Sequence, residues 1–422
     1  MRSRIICTVV GALFLLSVGS GMAWGGGMIL YENNSPSTGT ASAGWAALAA
    51  DASTLFTNPA GMSCLDRSQI LVGAQPLIIT ADFNPGTGTE VRGGGDDGGN
   101  AGGVLPSLAG YFVYNASDRI KLGIGSLSYF GLGIDYGDSW VGRYRVEKSA
   151  FITASLVPAV SYRINDWLSA GVMLNMMIAY FNTETAINNL GDSDGRLKYT
   201  DTTFGVGGGF GLLFEPTKST RIGVTYYSPV NLDFNDTPSF SNLGSIGEQI
   251  LTGRNLSLEY TIPQWVMLSG YQQVTEKLAL MGNFGWQDWS QFGEIDASLN
   301  VVPGSEGVTA DLNMQDTWHA AIGAQYRIAK PWLLSVGFAY DSSPFTEENR
   351  SPALPLDETF RYAAGIQYDW SENLTLGLAY EYMDVGSGSI DKTNSPLYLG
   401  TLQGDYSPYN INVVNLNLIY RF

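Results

Sequence analysis

The 422-residue sequence is short of cysteine, of charge and of long apolar runs. There are 2 cysteines, and Cys7 falls inside an N-terminal leader, so the mature chain keeps Cys64 alone and closes no internal disulfide. Charged residues make up 14% of the chain, against about 25% in soluble domains. What charge there is runs acidic: 22 Lys+Arg face 39 Asp+Glu, a formal net charge of −17. With no basic cluster, that balance excludes a nucleic-acid partner. Past residue 24 no stretch approaches the ~18 continuous apolar residues of a spanning helix. Disorder is excluded in turn, because 45% of residues are hydrophobic and 12% aromatic.

The first residues carry an export signal. Arg2 and Arg4 precede an apolar stretch from Ile5 to Val18, and small residues Gly19, Ser20, Gly21 and Ala23 follow. Cleavage is expected after Ala23 or Gly25. A membrane anchor is the alternative, but the apolar stretch is too short to span.

Glycine (52) and tyrosine (23) are abundant, and mean hydropathy is +0.02. Such a chain can meet lipid through alternate residues only. The C-terminal half alternates accordingly. Val414, Leu416, Leu418, Tyr420 and Phe422 share one face, with Asn415, Asn417, Ile419 and Arg421 on the other. The segments starting near Trp318, Trp332, Phe360 and Leu374 repeat this pairing of a bulky face with a small or polar face. A soluble sandwich also alternates, but a small, polar inner face with aromatics at the ends of the bulky face suits a barrel with lipid outside.

The pattern predicts an all-β fold, a 14-stranded antiparallel transmembrane barrel. Its strands are expected over 67–82, 104–114, 119–133, 149–163, 167–186, 197–215, 219–235, 255–273, 277–300, 309–328, 331–342, 357–369, 373–388 and 411–422. Tight turns alternate with longer loops, the outer-membrane pattern, and both termini fall on the short-turn, periplasmic side. Tyr114, Tyr162, Trp167, Tyr326, Trp332, Tyr368, Trp370, Tyr420 and Phe422 sit beside the short turns, where amphipathic rings favour the membrane interface.

Three regions follow: a signal peptide over 1–23, an N-terminal plug over 24–66 and the barrel over 67–422. A lumen of fourteen strands is too wide for its own side chains to fill, and Trp45, Leu48, Leu55 and Phe56 need burial. Within the plug, a short helix is expected over Ala41 to Ala52 and a turn at Asn58-Pro59-Ala60-Gly61. Gly123, Gly125, Gly131 and Gly133 crowd the third strand, which marks a bulge or close backbone approach. In the long loop over 240–251, Phe240, Leu243, Ile246, Ile250 and Leu251 recur at helical spacing. That stripe suits an apolar capture site, and equally a loop helix packed on the barrel mouth.

Other motifs are weak. Gly191-Asp192-Ser193-Asp194-Gly195 lacks the later bidentate Glu of a calcium loop, and Lys does not follow the glycines of 93–99 as in a phosphate cradle. A barrel hydrolase would need His319, the single histidine, beside a nucleophile or acid at the mouth. On the lumen face near a strand start it reads as lumen polarity. No catalytic residue, metal or cofactor is expected.

From Met28 to Phe422 the chain resembles the FadL-type outer-membrane transporters of long-chain fatty acids and hydrocarbons. The resemblance rests on ordered blocks: Met28 to Ala52, Asn58-Pro59-Ala60, Ser128-Tyr129-Phe130-Gly131-Leu132, Pro263-Gln264-Trp265, Ser269-Gly270-Tyr271, Trp286 to Phe292, Asp341-Ser342-Ser343-Pro344, Asn349-Arg350-Ser351, Pro355 and Arg361. It implies passive uptake of hydrophobic compounds across the outer membrane of a Gram-negative bacterium, past its lipopolysaccharide, by a monomeric channel that is not an enzyme. Cargo would bind loosely at the loops (Phe240, Leu243, Ile246, Ile250), then near the start of the plug (Met28, Ile29, Leu30). It would leave sideways at a third-strand gap (Tyr129, Phe130, Gly131), with Asn58, Pro59 and Ala60 anchoring the plug. Fatty-acid members hold the carboxylate with basic side chains. Here Thr185 stands where Arg is expected, and 300–316 holds no Lys or Arg. Arg143, Arg145, Lys148, Arg196 and Lys198 are the alternatives, and the cargo stays open between fatty acid and neutral hydrocarbon. The competing readings are a loop-acting barrel (an adhesin or phage receptor) and a general porin.

Overall fold

A computed structural model describes residues 29–189, 193–243, 256–299, 308–311, 313–393 and 400–422. The leader and Met28 lie outside them, as do Ile246, Ile250 and Leu251.

Fourteen strands run up and down in chain order. They are β1 (Gln69–Pro85), β2 (Val104–Asn115), β3 (Ile120–Leu127, then Gly131–Asp135), β4 (Lys148–Asn165), β5 (Leu168–Ile187), β6 (Gly195–Thr217) and β7 (Thr220–Tyr227, then Val230–Asp236). The rest are β8 (Leu256–Ile262, then Trp265–Gln273), β9 (Leu278–Gln287, then Glu294–Leu299), β10 (Val308–Asp311, then Thr317–Ala329), β11 (Trp332–Asp341), β12 (Thr359–Asp369), β13 (Leu374–Asp384) and β14 (Leu402–Arg421). Antiparallel pairing of β1 with β14, Ile70 opposite Tyr420, closes the barrel. Closure pairs the first strand with the last, which removes the open edge an unclosed sheet would present to lipid.

Side-chain alternation sets the register. Phe204, Val206, Phe210, Phe284, Trp318, Ile322, Val336 and Leu416 point outward and are exposed. Of the nine aromatics expected beside the short turns, eight are exposed, and Tyr368 is half-buried. Lumen positions are small, which lets the plug touch the wall. A Cβ on Gly223 would sit 1.9 Å from the Ala46 carbonyl oxygen, and one on Gly337 1.9 Å from that of Thr40.

Four strands leave the wall above their midpoints. Pro229 and Pro263, which have no N–H for a ladder, interrupt β7 and β8. A short helix, Trp289–Gly293, interrupts β9. Beyond these breaks the outer pieces of β7, β8, β9 and β10 form their own four-stranded sheet. Its buried Val230, Leu232, Phe234, Leu258 and Ile262 join the main core.

The plug differs from expectation in detail. No helix spans Ala41 to Ala52. Residues 41–47 are turns, with Ala41 and Ser42 left-handed at φ 49° and 56°. The helices are 3-10 turns at Pro36–Thr40 and Pro59–Cys64 and one α-turn at Thr54–Thr57. The alanines there serve close packing against the wall rather than helix propensity: Ala43 and Ala47 are fully buried. Asn58-Pro59 opens a 3-10 helix, with Asn58 as its cap. The third strand is two pieces rather than one, and the last begins at Leu402 rather than 411, because its upper part pairs with β1 as far as Pro85.

Candidate functional site

The site forms where the start of the plug meets the break in β3. The lower half of β3 pairs with β2 up to Gly110 opposite Ser126. Above the break, Gly131–Asp135 pairs with β4 alone. The facing residues of β2, Val104 to Ala109, pair with β1 alone. Among the described residues the outer halves of β2 and β3 therefore exchange no ladder bonds, which leaves a window in the wall. It closes above where Asp135 N–H donates to the Ala101 carbonyl (3.0 Å). Its sides are narrow: a Cβ on Gly131 would lie 3.6 Å from Leu105 Cδ2.

Two elements fill the window from inside. Leu30 N–H donates to the Tyr129 carbonyl (2.8 Å), and Ile29 makes an isolated antiparallel bridge with Phe130. The Phe130 ring lies 5.3 Å from Phe151, 5.7 Å from Phe292 and 6.1 Å from Trp289 between centroids. The Tyr129 hydroxyl accepts from Asn175 Nδ2 (2.8 Å). The sequence-predicted Ile29, Leu30, Tyr129, Phe130 and Gly131 thus come together. A cavity of about 70 Å³ adjoins them, lined by Ile29, Leu30, Tyr31, Trp289, Asp341 and Arg361 among others.

Asn58, Pro59 and Ala60 also lie together against the wall. Asn58 Nδ2 donates to the Ala46 (2.7 Å) and Leu212 (3.0 Å) carbonyls, and its Oδ1 accepts from Ala60 N–H (3.0 Å). A Cβ on Gly171 would lie 2.4 Å from the Pro59 carbonyl carbon, and one on Gly211 2.0 Å from Asn58 Oδ1. Trp45 Nε1–H donates to the Tyr227 hydroxyl (2.9 Å), and Tyr227 stacks on Trp265 at 3.6 Å.

Phe240 does not join the pocket. It lies half-buried in a short strand, Ser239–Ser241, paired with residues 196–198 of β6 rather than in a helix. Leu243 follows that strand, and Ile246 and Ile250 lie outside the described residues.

Sequence reading missed a polar clasp around Tyr31 and Glu32. Arg361 on β12 bonds Glu32 through Nη1 and donates from Nε to Asp341 Oδ2 (2.7 Å). His319 Nδ1 meets Asp341 Oδ1 at 2.7 Å, and its Nε2 meets Asn283 Nδ2 at 3.0 Å. Asn283 Oδ1 accepts the Gly44 N–H (2.6 Å). The imidazole stacks on Tyr31 at 4.1 Å, and Gln287 Nε2 donates to the Tyr31 hydroxyl. His319 therefore braces the plug, in keeping with its reading as lumen polarity. Acid, base and amide residues spread over β9 to β13 gave no local motif. Inward parity at each strand is the signal that could have grouped them.

A closed antiparallel barrel with lipid-facing alternation and aromatic rims defines a β-barrel of the outer-membrane type. The chain belongs to the outer membrane protein transport protein family (OMPP1/FadL/TodX), whose family model matches residues 16–422. It is 26% identical to the long-chain fatty acid transport protein of Escherichia coli O6:H1, over 91% of this chain and 92% of that one. The fold is similar to that of a Pseudomonas aeruginosa FadL homologue (TM-score 0.83, 20% identity, 95% and 100% of the two chains). It is also similar to that of the Ralstonia pickettii toluene transporter TbuX (TM-score 0.66, 18% identity, 92% and 97% of the two chains). The protein is thus an outer-membrane transport protein of the Gram-negative type.

Proposed function

We propose that the protein is a passive channel that takes hydrophobic small molecules from outside the cell and releases them sideways into the outer membrane. The observation that carries this reading is the direct bonding of Ile29 and Leu30 to Tyr129 and Phe130. One displacement of the plug's first residues would enlarge the pocket and open the window. Cargo would collect under the aromatic layer of Phe151, Phe181 and Phe234, bind beside Ile29 and Leu30, and leave between Leu105 and Gly131. A sideways exit suits apolar cargo, which never has to cross the polar periplasmic end of the lumen. The cavity of about 70 Å³ is well under the ~300 Å³ of pockets that enclose drug-sized ligands, so binding requires that displacement. The segment is held lightly enough to move. A hydrogen bond contributes about 1 kcal/mol net and burial of an Ile or Leu side chain about 1.5–3 kcal/mol.

On this reading the signal peptide is removed, the channel works as a monomer, and His319 has no catalytic part. The relative named for long-chain fatty acids and the neighbour named for toluene are both in keeping with hydrophobic cargo. The test is uptake of a labelled alkylbenzene by cells whose own hydrophobic transporters are deleted, with and without this protein. Uptake that depends on the protein supports the channel. No difference in cells that display the folded barrel removes the reading and leaves loop-mediated recognition.

A further inference from the structure

We infer that the pocket beside Ile29 and Leu30 selects hydrophobic compounds with a neutral end, hydrocarbons and alcohol-headed chains, and turns carboxylate anions away. The inference rests on the channel reading and narrows its substrate class.

Arg361 is the sole cation among the residues lining the cavity. It is already committed three times over. Its Nη1 bonds Glu32, its Nε donates to Asp341, and Glu381 Oε1 lies 3.7 Å from Nη1. A second guanidinium, that of Arg350, meets Asp357 at 2.8 Å and donates from Nε to the Leu356 carbonyl at 2.8 Å. Asp357 also lines the cavity. Four carboxyl groups thus surround two guanidinium groups. With both guanidinium groups engaged by carboxyl groups, no positive charge is left over for an incoming anion.

Hydrogen bonding points the same way. Among the described residues, Glu32 Oε2 and both oxygens of Glu381 accept from no donor. A carboxylate only accepts, so it would add a further anion to a buried site already short of donors. A hydroxyl brings a donor, and a hydrocarbon makes no demand. Glu32 and Glu381 are 1% and 0% exposed, so water does little to screen them. Past the leader, the one basic residue outside the described residues is Arg254.

The test uses the mature protein in a fluorinated surfactant whose tails do not compete, at pH 8.5, where a soluble fatty acid is ionised. Dodecanoate and 1-dodecanol are titrated while tryptophan fluorescence is followed, Trp289 being part of the lining. The alcohol is expected to bind at least tenfold tighter than the acid. Glu381→Gln, and separately Glu32→Gln, should shift the ratio of the two affinities toward the acid by fivefold or more. Heat-modifiable gel mobility confirms that each variant is folded. Equal or tighter binding of the acid overturns the inference, as does a ratio unmoved in both folded variants. Acid binding abolished by Arg254→Gln overturns it too, by placing an anion site at that residue. In those outcomes the channel reading stands. Binding of neither compound overturns the inference and the cargo pocket together.

Discussion

At the residue scale the plug is held by single side chains whose polar atoms are fully used. Asn58 spends both amide hydrogens on carbonyls of two different elements, one in the plug and one in β6. Replacing it by Ala removes three hydrogen bonds, each contributing about 0.5–1.5 kcal/mol net. Asn58→Ala is therefore expected to loosen the plug by about 2–4 kcal/mol, seen as faster amide exchange over residues 40–64 while the wall stays protected. Unchanged exchange in the plug would remove Asn58 as the anchor. Cys64 offers a second residue-level check. Burial, reinforced by the Glu215 carboxylate, pushes its thiol up to about 11. Because the thiolate is the reactive form, maleimide labelling at pH 8 should run roughly a hundredfold slower in the folded protein than in denaturant. Asn58 was legible in the sequence as a local triplet. Arg361, Glu32 and Glu381 were not legible as a group, since Glu32 lies 329 positions before Arg361 and the three meet only when β12 and β13 close around the plug.

At the element scale the break in β3 decides where cargo can leave. Glycine density announced a disturbance in the third strand, but not that β2 would lose its partner as well. That loss follows from where Ser128-Tyr129-Phe130 turns inward, with both the N–H and the Oγ1 of Thr153 donating to the Phe130 carbonyl. Gly131→Leu should fill the space beside Leu105 and cut uptake of a labelled alkylbenzene at least tenfold, with normal amounts of folded barrel in the membrane. Wild-type uptake in that variant would refute the sideways route. Pro229 and Pro263 stand inside segments expected as continuous strands, and their consequence, a separate outer sheet over the aromatic layer, depends on four strands breaking side by side. The predicted helix over Ala41 to Ala52 failed for a related reason. Small residues there answer to a wall less than one side chain away, and that contact outweighs local propensity.

At the scale of the whole molecule, closure of β1 onto β14 and the filled lumen set the transport behaviour. At Gly223 and Gly337 the plug backbone lies directly against the wall, and larger wall residues such as Arg361 and Tyr227 bond the plug elsewhere. In planar bilayers the protein should show little steady ion conductance. Gly223→Val, which forces a side chain into the Ala46 carbonyl, should raise conductance by displacing the plug. Large, stable porin-like steps from the wild type would contradict a plugged lumen. Export predicts a mature N-terminus at Trp24 or Gly26, which the intact mass of protein from purified outer membranes will report.

The sequence by itself determined the class of fold. Period-2 alternation, the count of fourteen segments, short and long connections in turn, and aromatics beside the short turns are local properties that lipid and water impose on each strand separately. The Asn58-Pro59 chain reversal was a local signal as well, though it was expected as a turn and is the start of a 3-10 helix. Only the tertiary structure decided the window, the pocket and the charge balance within it. Each depends on which residues of distant strands face one another once the barrel closes, and that is fixed by register and by the plug's packing against glycine. A single strand encodes its inward and outward faces. It does not encode whether its one arginine will find a carboxylate waiting or be outnumbered by three.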